Sequence, residues 1–559
     1  MPANSSGTTC TVGLFDEGGS GNTLRQCLNG VTTANLTVDF NHGGTAKTIS
    51  LSTPITITAP GLTISDPDNL VTIEMDSGAD GDIFLIDLDN STQSAAITTF
   101  RGVTLSGAAS SGRAVNAEDP TAGYYPLRFE NATVKDFDSS SVGGAVSAAS
   151  VVVVESVFEN NQSSASGGAI HSETTVAVSE SSFINNSAGG SGGAIRSSET
   201  TTATNSNFYG NSATSQGGAI RSSGAVTITG GVFGGNKADG TGEEEGVAGA
   251  VFTSDGGLIE DSIFSSNTTE NDSGAVHSED SKLTVRDSLF INNDSGDDGG
   301  AIRSNGGLEV SGSSFLGNTA VDKGGAIDNF GNPAEKTTII DSYFGYNQAG
   351  DDGGAIEAES NLLVMNTTFS GNSSGADGGA IHSTESGTDS LFALSTFVNN
   401  SATNNGQSLA YEDNGLLLGN LFLSTSTDPH INTSGSNIDQ GGNVSTSAET
   451  SLDSPSSKTE ASYGAFGVGI ELSPTKSFVP TVPINSIAAA DTFVSQAMVD
   501  ALDLTGMDIA SGFTFPTTDQ QGNARTLAGD GYYPGAEFRN TATVTGTATT
   551  NDTLVATMY

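Results

Sequence analysis

The sequence predicts an all-β chain wound as a right-handed parallel β-helix, a solenoid with an N-terminal capping helix and an irregular C-terminal cap. Three observations lead there. A Gly-Gly-Ala-Ile/Val block begins at Gly143, Gly167, Gly192, Gly217, Gly299, Gly324, Gly353 and Gly378, with variants from Ala248 and Ser273, in steps of 24, 25, 25, 31, 25, 26, 25, 29 and 25 residues. Phe-x-x-Asn follows each block, usually 16 residues later, as Phe158/Asn161, Phe183/Asn186, Phe208/Asn211, Phe233/Asn236, Phe264/Asn267, Phe290/Asn293, Phe315/Asn318, Phe344/Asn347, Phe369/Asn372 and Phe397/Asn400. Between these markers lie alternating segments such as Val226-Thr-Ile-Thr, Leu283-Thr-Val-Arg and Leu308-Glu-Val-Ser, which have the period of half-buried strands.

A repeat of about 25 residues cannot bury its own apolar face, but stacked coils bury each other's at a spacing of ~4.8 Å. Equivalent residues then fall into columns. The Phe column and the Ile/Val of the glycine block fill the interior, and the Asn column forms a side-chain amide ladder at a turn. The paired glycines suit a corner that needs positive φ or close backbone approach.

The elements follow in chain order. Residues 1–30 form an N-terminal cap, in which Thr23-Leu-Arg-Gln-Cys-Leu28 sets Leu24, Cys27 and Leu28 on one helical face. Cys10 and Cys27, the only cysteines, would either bridge and fasten this cap or pack as small buried thiols. Residues 31–142 hold irregular coils, with strands such as Leu36-Thr-Val-Asp-Phe40, Ile55-Thr-Ile57 and Val71-Thr-Ile-Glu-Met75. The regular repeats occupy 143–413. The long steps after Gly217 and Gly324 read as lateral loop insertions, the first carrying Glu243-Glu-Glu245. From 414 to 538 the glycine block disappears and Pro becomes more frequent, as expected of terminal coils and a closing cap. Residues 539–559 form a strand-like tail of almost no charge. Asn540 to Tyr559 would add to its own last coil or to the edge of a neighbour, making a homo-oligomer or filament.

With 18 basic residues against 64 acidic ones, the net charge of −46 repels phosphate backbones and anionic lipid, which argues against nucleic acid as a partner. No apolar run approaches the ~20 residues of a membrane-spanning helix. The acids are scattered, as on a solubilising surface. The residue before the glycine block becomes Asp272, Asp298, Lys323, Asp352 and Asp377 in successive coils, a column of like charge broken once. Asp297, Asp298, Asp351, Asp352 and Asp377 are therefore candidate oxygen ligands for calcium, the one cofactor the sequence suggests.

No catalytic residue is assigned. Gly-His-Gly and Arg-x-Lys signatures of polygalacturonase type are missing, and so is Trp as a sugar-stacking platform, although Tyr124, Tyr125, Tyr209 and Tyr411 remain. His171, His277 and His382 share one repeat position, directly after Ala-Ile/Val. Period two points it outward with Glu173 and Glu279 two residues on, a pattern expected of surface ion pairs. A polysaccharide lyase or glycoside hydrolase of β-helix type stays as the alternative to a structural protein.

The Gly-Gly-Ala-Ile and Phe-x-x-Asn markers over 143–400 resemble the chlamydial polymorphic outer-membrane protein repeats. Asp16-Glu-Gly-Gly-Ser-Gly-Asn-Thr-Leu-Arg-Gln-Cys-Leu28, with Thr37-Val-Asp-Phe40 and Thr48-Ile-Ser-Leu51, resembles bacterial surface β-helices with a CSLREA-type N-terminal region. Thr518-Asp-Gln-Gln-Gly-Asn-Ala-Arg525 through Gly535-Ala-Glu-Phe538 is similar to the close of choice-of-anchor Q proteins, with Tyr533-Pro-Gly535 replacing the usual Asp-Ile-Gly. These resemblances imply an exported, extracellular or cell-surface protein with an adhesive or structural role, whose partner is a surface receptor or glycan. Fold likeness alone defines no site.

Overall fold

The computed structural model describes residues 9–445 apart from 17–21, 30, 32–33, 77–78, 80, 89–95, 108–110, 120–122, 243–245, 332–334, 385–388, 413, 425–427, 435–436 and 442, and beyond these only 458–459, 469–473, 476–481, 494–495 and 531–532. The tail from Asn540 to Tyr559, Glu243 to Glu245 and most of the expected C-terminal cap lie outside the described residues.

The chain is a right-handed parallel β-helix. One regular coil shows the plan. After the glycine block come Ile170–Ser172, then Val176–Ser179, Ser182–Ile184 with the repeat Phe, and the two-residue Ser187–Ala188. Each pairs in parallel with its equivalent in the next coil, giving four stacked faces of 15, 17, 17 and 11 strands. The fourth face runs only from Asp138–Ser139 to Ser401–Ala402, so the four-sided cross-section belongs to the regular repeats.

Register converts sequence phase into columns. Phe158, Phe183, Phe208, Phe233, Phe264, Phe290, Phe315, Phe344, Phe369 and Phe397 are all fully buried, and Phe422 extends the row. Along it, ring centroids lie 4.7–5.1 Å apart with planes within 10°. The rings repeat at the coil spacing because each is carried by a strand paired to the next. Earlier, where the coils are irregular, the packing changes to 80° between Phe129 and Phe158 and 46° between Phe84 and Phe100.

The ten repeat asparagines, Asn161, Asn186, Asn211, Asn236, Asn267, Asn293, Asn318, Asn347, Asn372 and Asn400, are at most 2% exposed and form a continuous ladder. Asn161 Oδ1 accepts the Phe137 N–H, and from Asn186 onward each Oδ1 accepts two donors from the preceding coil: Asn186 Oδ1 takes the Asn161 N–H at 3.1 Å and the Asn161 Nδ2–H at 2.9 Å. The Asn186 amide in turn donates to Phe158 O at 3.0 Å and to Asn211 Oδ1 at 3.0 Å. The loop insertions leave the rungs intact. Across the 31-residue step Asn236 donates its N–H and Nδ2–H to Asn267 Oδ1 at 3.0 and 2.9 Å, and across the 29-residue step Asn347 Oδ1 accepts both Asn318 donors at 3.0 Å. Asn372 Oδ1 then takes the Asn347 pair at 3.0 and 2.9 Å and passes its own to Asn400. Being sealed from solvent, these residues hold the fold and meet no ligand. An amide is required because only it supplies an acceptor and two donors on one short side chain. The residue just before the ladder Asn turns the corner with positive φ, as at Asn160, Asn185, Asn292 and Asn399 (48–54°), a conformation Asn tolerates.

The two glycines of the block act differently. The first has positive φ, 70° at Gly192, and Ala248 and Ser273 adopt it at 62° and 67°. Both lie against backbone: a Cβ on Gly192 would stand 2.2 Å from Ile195 O of its own coil, a contact that Ala248 and Ser273 accommodate at their corners, whereas the second glycine has no such φ and a Cβ on Gly193 would stand 2.0 Å from Gly218 O of the next coil. Accordingly the first position varies, whereas the second is glycine in all ten blocks.

At the N-terminus, Thr9–Val12 pairs in parallel with Thr37–Phe40, and helix α1 (Leu24–Leu28) covers the end of the stack. Thr23 and Gln26 form a reciprocal capping box, and Leu24, Cys27 and Leu28 are buried. Cys10 and Cys27 are disulfide-bonded with Cα atoms 5.8 Å apart, tying the first strand to the helix. Among the described residues no helix is long and apolar enough to cross a membrane.

Candidate functional site: a buried column of polar and charged side chains

The residue after Ala-Ile/Val forms an in-register column on the first face: Ser147, His171, Arg196, Arg221, Phe252, His277, Arg303, Asp328, Glu357, His382 and Ala410. The alternation predicts an exposed row. Instead His171, His277 and His382 are 6%, 4% and 7% exposed, and Asp328 and Glu357 are buried outright. Stacking is the reason. Bulky side chains one coil apart screen each other, and chain segments outside the strands add cover, as where the antiparallel pair Glu118–Asp119 and Gly123–Tyr124 brings Tyr124 against Glu173. Burial, then Glu118 and Glu173, push the Tyr124 phenol up to about 12.

The histidines do meet carboxylates. His171 Nε2 lies 3.0 Å from Glu173 and His277 Nε2 lies 3.4 Å from Glu279. Burial lowers the pKa of His171 despite Glu173, and its Nδ1 has no hydrogen-bond partner. Ser273 Oγ stands 3.1 Å from His277 Nδ1, completing a Ser-His-Glu row, but Ser273 is fully buried and offers no surface to a substrate. Arg196 and Arg221 bond Ser198 and Ser223.

The predicted calcium ligands separate into two groups. Asp297 and Asp298 gather with Asp272, their oxygens within 4.8 Å of one another. A fixed cation already stands there: Arg303 Nη1 lies 2.5 Å from Asp272 and 3.0 Å from Asp298, and Phe330 stacks on its guanidinium at 5.2 Å. Arg303 Nε is 3.2 Å from Asp328 Oδ2, near enough for an ion pair but not aligned as a hydrogen bond. Burial, opposed by Arg303, pushes Asp298 up to about 6, and burial holds the Asp328 carboxyl well above its usual range. Asp352 and Asp377 instead gather with His382. Asp351 is exposed and belongs to neither group. A third group, His42, Asp66 and Asp68, comes from the irregular coils and carries no repeat signal in the sequence.

The column of Asp before the block also has a structural task. Asp298 Oδ1 accepts the Lys323 N–H at 3.1 Å, Asp352 Oδ1 the Asp377 N–H at 2.8 Å, and Asp377 Oδ1 the Asn405 N–H at 2.9 Å. Each carboxylate thus caps the amide of its equivalent one coil on. A second ladder, of hydroxyls, stands two residues before the Phe. Ser181 Oγ accepts the Ser156 N–H at 3.0 Å and donates to Ser179 O at 2.7 Å, and the pattern recurs through Ser206, Ser262, Ser288, Ser313 and Ser342. Of the four tyrosines considered for sugar stacking, only Tyr209 is exposed; Tyr125 and Tyr411 are buried and Tyr124 is half-buried.

Fold and columns together define a β-solenoid of short surface-type repeats. Residues 155–173, 180–198, 205–223 and 366–384 match the Chlamydia polymorphic membrane protein repeat. All four segments begin at the corner residue of positive φ, Glu155, Glu180, Asn205 or Asn366, and run through the hydroxyl (Ser, or Thr367 in the last), Phe and Asn columns and the glycine block into the strand that follows it. The match therefore follows the stacking unit. No curated protein matches the chain.

Proposed function

We propose that the protein is a non-catalytic structural or adhesive β-helix of the cell surface, a stiff rod that presents its flanks to a receptor or glycan. The observation that carries this reading is the continuous stack, a first face of 15 strands at ~4.8 Å that makes a rod of about 70 Å, its regular coils locked by the Phe and Asn columns. The match to repeats of a polymorphic membrane protein supports the surface setting. Against the polysaccharide-acting alternative, Asp328 and Glu357, whose carboxyl pKa values burial raises, have no face open to a sugar. Beads coated with the protein should adhere to cells or immobilised glycans, and the protein should release no new reducing or unsaturated ends from acidic and neutral polysaccharides. Turnover of any polysaccharide, or beads that bind no better than uncoated ones, would overturn the reading.

A further inference from the structure

Three groups of side chains have atoms spaced for a metal ion, and their surroundings tell them apart. In the first, His42 Nδ1 accepts the Gly44 N–H at 3.1 Å, so the ring proton sits on Nε2, between Asp66 and Asp68 at 3.2 and 3.3 Å. Asp66 Oδ2 is also occupied, by the N–H groups of Leu70 and Val71. That group is satisfied as it stands. In the second, Arg303 fills the position a cation would take among Asp272, Asp298 and Asp328.

The third group has no such resident. Asp352, Asp377 and His382 come from two adjacent coils, and no lysine or arginine lies within ion-pair distance of them among the described residues. Asp352 and Asp377 each spend one oxygen on a backbone N–H of the next coil, which fixes the carboxylates and leaves the other oxygen free to bind. His382 Nδ1 faces two carboxylates at once, Asp352 Oδ2 at 3.5 Å and Glu357 Oε2 at 3.0 Å, while one ring nitrogen carries at most one proton. Glu357 is fully buried and its second oxygen has no hydrogen-bond partner. A buried carboxylate with an unpartnered oxygen beside two further acids is costly unless a cation joins them. Asp352 Oδ2 and His382 Nδ1, 3.5 Å apart, are close to the ~3.3 Å edge expected of a tetrahedron with bonds of ~2.0–2.1 Å, and the ligand atoms of Asp352, Asp377 and His382 all lie within 4.8 Å of one another.

We infer that Asp352, Asp377 and His382, backed by Glu357, bind one divalent metal ion of the zinc-like class. An imidazole beside carboxylates selects such a borderline ion over calcium, which takes six to eight oxygens. Asp352 and Asp377 are partly exposed whereas His382 and Glu357 are buried, so the ion enters past the two aspartates. Once bound, it staples the coil of Asp352 to that of Asp377.

The test is titration of the metal-free full-length chain with ZnCl₂ by calorimetry, alone and with 5 mM CaCl₂. One equivalent should bind, calcium should not compete, and His382→Ala and Asp352→Asn should each weaken binding at least tenfold. Asp297→Asn, in the group held by Arg303, should leave it unchanged. No zinc binding, displacement by calcium, or equal loss in Asp297→Asn would overturn the inference. Imidazole NMR of the unsubstituted protein decides independently of whether a variant folds. Zinc should shift one of the five histidines and no other; a shift confined to His42, or none, refutes the site.

Discussion

Replacing Asn293 by Ala should destabilise the protein by about 2–6 kcal/mol, and the figure comes from counting donors. Asn293 Oδ1 accepts the Asn267 N–H at 3.1 Å and the Asn267 Nδ2–H at 2.9 Å; its own amide donates to Phe264 O at 3.0 Å and Asn318 Oδ1 at 2.9 Å. Alanine strands both Asn267 donors in a site with no solvent exposure, and each buried unsatisfied donor costs about 1–3 kcal/mol. Asn293→Asp separates this loss from mere shape. It still accepts from Asn267 but turns a second acceptor towards Phe264 O and Asn318 Oδ1, so it should be destabilised at neutral pH and recover partly when protonated. Urea unfolding followed by circular dichroism gives the stability, with an unchanged m-value showing that the same surface unfolds. Amide hydrogen exchange at Asn267 should accelerate by the corresponding factor. A loss below about 0.5 kcal/mol in Asn293→Ala, or an Asn267 amide as protected as before, would refute the claim that the ladder is closed to water and contributes to stability.

Two further outcomes test other links. Gly193→Ala should abolish folding or lower Tm by more than about 10 °C, because its Cβ would meet Gly218 O of the next coil at 2.0 Å, whereas Gly192→Ser should cost less: its Cβ meets Ile195 O at 2.2 Å, but only within its own coil, and Ser273 already fills the equivalent corner; equal effects would show that the two glycines share one role. His430, fully buried beside Ser408, has its pKa lowered by burial to about 4. The unfolded chain takes up this proton near pH 6.5 and the folded chain only near 4, so stability falls as pH drops through that window, by up to about 3 kcal/mol. His430→Asn should flatten the pH dependence of Tm between about 7 and 4.5, and an unaltered slope would remove His430 as its cause.

The columns are legible in the sequence because the residues that make them are scarce or rigidly phased. Phenylalanine at a fixed distance from the glycine block stands out in any window, and Asn161 to Asn400 inherit the same phase. The hydroxyl ladder is not, although Ser stands two residues before Phe in eight of the ten repeats, since Ser is so common in this chain that its phase is lost in the background. The buried charges escape for another reason. Period two assigns His382 and Glu357 to the outside of a strand, which is where their Cβ atoms point, but says nothing of the neighbours that then cover them. Nor does it reveal that Arg303 reaches Asp272 one coil back and Asp328 one coil on, a relation that exists only after stacking. The Asp pairs draw attention by their charge alone, which groups Asp351 with Asp352 although one is exposed and the other faces His382.

Both ladders share a direction. The Asn161 amide is met by Asn186, that of Asn186 by Asn211, and the Ser156 N–H by Ser181, in each case by a residue 25 positions later. As the polypeptide leaves the ribosome amino end first, the newest coil carries bare Asn and Ser-position donors whose acceptors have yet to emerge. Each coil is therefore a template waiting for its successor, and assembly proceeds like a ratchet in which every closed rung hinders backsliding.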